Sequence, residues 1–72
     1  MVNLYAQPTG AAAGTFTTVT QAQAAVPQIT AWAQDPFGSR WWGFTAAVPA
    51  LSSGVWSWAA YSTAAAFRIE QA

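Results

Sequence analysis

Cysteine and histidine are both missing from this chain, and only four of its 72 side chains carry charge. Without thiols there is no disulfide, and without thiolate or imidazole the usual zinc sites are excluded. The hydroxyls have no histidine to activate them, and no Gly-rich phosphate loop stands at a known spacing. The only acids, Asp35 and Glu70, flank the long helix read below. A straight helix would hold them ~50 Å apart, too far for an acid–base pair. Catalysis and a metal site are therefore not expected. The net charge is zero and no basic patch occurs, so nothing attracts nucleic acid or anionic lipid. Met1-Val2-Asn3-Leu4-Tyr5 has no Lys or Arg and no compact apolar run after it, so no secretory signal is expected.

What is there is apolar. Hydrophobic residues make up 54% of the chain and charged ones 6%, against ~25% charged in ordinary soluble domains. A chain this short has little core of its own. Residues 1–17 are rich in Ala, Gly and Thr. Gln7-Pro8-Thr9-Gly10 reads as a turn, and Ala11-Ala12-Ala13-Gly14-Thr15 has no side chain large enough for a core. This segment is expected to be an extended arm, ordered when a partner holds it.

From Thr18 the spacing changes. Thr18-Val19-Thr20-Gln21 fits a capping box, and Val19, Ala22, Val26, Ile29 and Ala33 recur at helical steps. The pattern predicts an amphipathic helix over 18–34, kinked at Pro27. Asp35-Pro36-Phe37-Gly38-Ser39 then breaks the chain in a turn over 35–39. Ser39 is placed to cap the next helix, and Asp35 to face its dipole.

The 27 positions from Trp41 to Phe67 carry no charge, with Arg40 and Arg68 on either side. As an α-helix they reach ~40 Å, near the full thickness of a bilayer. The expected fold class is all-α membrane. One transmembrane helix (about 40–68) follows the amphipathic helix, and a short tail (69–72) ends the chain. The expected location is integral membrane. Leu51 is the only Leu in the run, and Pro49 and two Gly weaken insertion, which suggests a helix supported by protein neighbours. Gly43, Ala47, Ala50, Gly54 and Ser57 form a small-residue stripe suited to helix packing. Trp41, Trp42, Phe44, Trp56 and Trp58 suit interfacial anchoring, or contact with flat pigments or lipid. Pro49 has no N–H, so the Thr45 carbonyl loses its helical partner. A Ser or Thr hydroxyl or a water would satisfy it, and so would the magnesium of a chlorophyll.

The segment Ala64-Ala65-Ala66-Phe67-Arg68-Ile69-Glu70-Gln71-Ala72, with Val48-Pro49 before it, resembles the end of the PsaI-type single-helix subunits of photosystem I. Those subunits carry a proline inside the helix and finish with an aromatic–x–Ile–Glu tail. The likeness covers Val48 to Ala72. Family members are about half this length and richer in Leu and Ile, so Met1 to Gln34 lies outside the pattern. The resemblance implies a non-catalytic accessory subunit of a photosynthetic complex in the thylakoid. Larger membrane subunits would be its partners, with chlorophyll and carotenoid nearby and no cofactor bound by the chain alone. The alternative is a self-assembling viral or pilus-like coat protein with a single apolar helix. A membrane-active peptide would need a basic face, and none is present.

Overall fold

The computed structural model describes residues 1–35, 38–45 and 57–72. Among them, β1 (Val2–Ala6), β2 (Ala11–Phe16), β3 (Ala31–Gln34), β4 (Trp41–Phe44) and β5 (Phe67–Gln71) are strands. Two short helices, α1 (Val19–Ala24) and α2 (Trp58–Ala64), lie between them. The sheet is antiparallel throughout, in the order β2-β1-β5-β4-β3. Two hairpins, β1–β2 and β3–β4, are thus joined by β5, which pairs with β1 on one side and β4 on the other.

The helices cover opposite faces. On one face, Val2, Leu4 and Ile69 pack with Ala22 of α1 and with Val26 and Ile29 from the loop after it. On the other, Trp42 and Phe44 pack with Tyr61 of α2 and with Ala65. Strand alternation explains the division, since successive side chains point to opposite faces. In β5, Phe67 and Ile69 meet the α1 side, so Arg68 and Glu70 face the α2 side. Gly43 faces the α1 side, where a Cβ would stand 2.7 Å from both Ile29 Cγ2 and the Trp32 ring. The two side chains close over the bare backbone of β4.

The expected all-α membrane fold is corrected by this sheet. The transmembrane helix over 40–68 does not form: Trp41–Phe44 is a strand, Phe67–Gln71 is a strand, and between them only Trp58–Ala64 is described as helix. Seven residues reach ~10 Å, against ~30 Å of hydrocarbon core. No helix among the described residues is long and apolar enough to cross a membrane. The integral-membrane, thylakoid placement that rested on such a helix is withdrawn with it. The uncharged run misleads because a low charge count marks a buried strand as well as it marks a span.

The helix over 18–34 is also shortened. Thr18 Oγ1 accepts the Gln21 N–H at 3.2 Å, and Gln21 Oε1 accepts the Thr17 N–H at 3.1 Å, so the cap forms as the spacing indicates. The helix stops at Ala24, with Ala25 as its C-cap. Pro27 disfavours helical geometry in the residue before it and offers no N–H to the preceding turn. The second half of the stretch, Ala31–Gln34, is β3. The first seventeen residues are extended, but their own chain holds them. Val2↔Phe16 through Ala6↔Ala11 pair across a turn at 7–10, where Gly10 has φ +78°. Ser39, expected as a helix cap, has φ +56° and leads into β4.

Candidate functional site

Both arginines meet Trp58 on the α2 side of the sheet, and each is paired with one of the two acids. Register builds the row that holds Arg68. Tyr5 pairs with Arg68, Arg68 with Trp42, and Trp42 with Ala33. The Arg68 guanidinium carbon lies 4.3 Å from the Tyr5 ring centroid and 5.0 Å from that of Trp58. Arg40 stands 4.6 Å from the same Trp58 ring. Trp42 is fully buried beneath, stacked on Tyr61 at 5.2 Å and meeting Trp58 edge-on at 5.2 Å. Such cation–π and aromatic pairs contribute about 0.5–1.5 kcal/mol each.

Asp35 organises one half of the cluster. Its Oδ2 accepts from Arg40 Nε and from Trp42 Nε1, both at 2.8 Å, and its Oδ1 accepts from the Gly38 N–H at 2.7 Å. Its backbone N–H donates to the Arg40 carbonyl at 2.9 Å. The carboxylate is buried, and burial alone would raise its pKa. Hydrogen bonds from Arg40, Gly38 and Trp42, together with the Arg40 charge, outweigh that and hold it at about 2, below the ordinary 3.8. A buried carboxylate with three donors prefers its charged form.

Arg68 organises the other half. Its Nη1 donates to Gln7 Oε1 at 3.1 Å, and its Nη2 lies 3.4 Å from Glu70 Oε1. Gln7 in turn donates to Ser62 Oγ at 2.8 Å, tying the β1–β2 turn to α2. Each arginine therefore has its own carboxylate, and the cluster is electrically balanced. It clamps α2 to the sheet, with Trp58, 44% exposed, as the side chain between the two guanidinium groups.

The second feature is the edge of β2, which among the described residues pairs only with β1. Every residue from Ala11 to Thr15 is exposed, and only Phe16 is partly buried. Ala13 has no counterpart in β1, because Leu4 pairs with Gly14 and Tyr5 with Ala12. This is a β-bulge, with Gly14 at φ +142°. β2 holds no charge and no proline, so of the usual means of blunting an edge it has only the bulge. The opposite edge, β3, is four residues long and runs into Asp35.

The side chains singled out for pigment or lipid contact are dispersed by the fold. Trp42 and Phe44 are buried against α2, and Trp41 lies partly buried on the α1 face. Thr45 is exposed beside β4, and Trp58 begins α2. Of the small-residue stripe, Gly43 admits Ile29 and Trp32, and Ser57 caps α2, its Oγ accepting the Ala60 N–H at 3.2 Å. Ala47, Ala50, Gly54 and Trp56, with Pro36, Phe37 and Pro49, lie outside the described residues. Sequence reasoning missed Tyr5, Arg40, Tyr61, Arg68 and the β2 edge. The alternation Phe67-Arg68-Ile69-Glu70 was the available signal, since period two places Arg68 and Glu70 on one face. Among the described residues no three His, Cys, Asp or Glu side chains group as metal ligands. No family model, curated protein or solved structure matches the chain, so the photosystem I resemblance rests on its quoted residues alone.

Proposed function

We propose that this chain is a non-catalytic structural subunit, joined to its assembly by a strand added to the edge of β2. One observation carries the reading. Five consecutive residues of β2 are exposed and uncharged, and among the described residues the strand pairs on one side only, with β1. Fixing a backbone costs roughly 1–2 kcal/mol per residue. The ladder to β1 offsets part of that, and side-chain burial adds little here. A second strand on the open side would satisfy the outward backbone groups and cover the small side chains, which is the chemistry of strand addition. The accessory-subunit role expected from the sequence is thereby proposed without the membrane span.

The test is site-specific photo-crosslinking in the cells that make the protein. A benzophenone side chain replaces Ala13 in one variant and Thr20, exposed on α1, in another. One adduct of defined mass from position 13 and none from position 20 is the expected result. Equal adducts from both positions, or none from position 13, would count against strand addition at β2.

A further inference from the structure

We infer that the strand added at β2 is β2 of a second copy, antiparallel about a two-fold axis at Ala13. This rests on the strand-addition reading above and names its partner. Four observations favour a second copy. Self-pairing sets Ala, Gly and Thr opposite Ala, Gly and Thr, so no charge meets a like charge and no bulky side chain obstructs the approach. A two-fold interface needs a patch that complements itself, and a small uncharged strand does so in the antiparallel sense. The bulge at Ala13 increases the local twist, and a second β2 carries the same twist at the same place. Finally, the chain has zero net charge, so two copies approach without long-range repulsion.

Ala13 is the natural centre because it is the residue that the β1 register skips. The pairing joins two sheets edge to edge into one continuous sheet. It leaves both Trp58 clusters away from the contact, since they lie over one face of β1, β5 and β4 and not along the outer edge of β2. The β3 edge is a poorer site, being shorter and ending at the Asp35–Arg40 ion pair.

The absence of cysteine makes the test clean. Single variants Ala11→Cys, Ala12→Cys, Ala13→Cys, Thr15→Cys and, as a control, Thr20→Cys are oxidised as purified full chains and run on non-reducing gels. Facing residues of antiparallel strands stand ~4.5–5.5 Å apart at Cα, within disulfide reach. Disulfide dimer should peak at Ala13→Cys, fall away on both sides and be lowest at Thr20→Cys. Uniform crosslinking, or a peak at Thr20→Cys, overturns the two-fold. Sedimentation equilibrium supplies the second reading: the unmodified chain should be dimeric, and Ala13→Lys should associate at least about tenfold more weakly, with two ammonium groups facing each other. Near-ultraviolet circular dichroism from Trp42, Trp58 and Tyr61 checks that the variant is folded. If the purified chain is monomeric while position 13 crosslinks in cells to a different protein, the second copy is wrong and strand addition stands. If it is monomeric and position 13 gives no adduct, both are wrong.

Discussion

Asp35 is the buried acid of the charged cluster. It accepts from two side chains and one backbone N–H, and it is buried. Its folded pKa of about 2 lies below the unfolded 3.8. A depressed carboxylate contributes its stability in full above the unfolded pKa and loses it as pH falls through the folded one. The difference corresponds to roughly 2 kcal/mol. The urea midpoint should therefore be flat from pH 7 to 5 and fall between about 4 and 2. Asp35→Asn should lose about 2–3 kcal/mol at pH 7, because charge-assisted bonds give way to neutral ones. The midpoint of this variant should lack most of the acid step, and an Asp35→Asn chain that kept the full step would show that another group produces it. Gly43 is the second critical residue, for a steric reason. A side chain there meets Ile29 and Trp32 at 2.7 Å, and overpacking of this kind costs about 1–3 kcal/mol. Gly43→Val should lower the thermal midpoint, while Gly10→Ala meets no atom within 4 Å and is opposed only by its positive φ.

The elements show where the sequence is legible. The turn at 7–10 and the cap at Thr18 can be read because both depend on neighbours a few residues away: a Pro-Thr-Gly run, and a hydroxyl three residues before an amide N–H. The strands escaped the sequence reading, although two carry their alternation openly. Val2-Asn3-Leu4-Tyr5 and Phe67-Arg68-Ile69-Glu70 both place every second side chain in the core. Their position near the chain ends, beside Ala-rich segments, hides the pattern. β4 is harder, because its two faces are both covered and its residues read as an unbroken apolar run. The Arg40–aromatic–Arg68 cluster is beyond the sequence in principle, since its parts come from β1, β4, β5 and α2 and meet only through register. Capping offers a direct comparison of the two helices. Thr18→Ala and Ser57→Ala each remove one acceptor from a helix N-terminus, which costs ~1 kcal/mol. Denaturant titration should give losses of that size for both, and a loss well above it at Ser57 would reveal a further contact of that side chain.

At the scale of the molecule, β5 holds the fold together. It carries Ile69, 1% exposed, into one core and Arg68 into the cluster on the other face. It is also the strand that connects the two hairpins. Removing residues 67–72 should abolish cooperative unfolding and collapse the near-ultraviolet signal, because β1 and β4 then present facing edges with no strand between them. A sharp thermal transition in the truncated chain would show that the hairpins join by another route. The position of β5 also bears on biosynthesis. Of the five described strands it is the last to be made, yet it belongs at the centre. At ~5–20 residues per second, β1 is made several seconds before the strand that will cover its inner edge. During that interval the inner edge of β1 has no β5 to pair with, and crowded ribosomes on one message bring such edges close together. The time of greatest aggregation risk is therefore during translation, before β5 emerges.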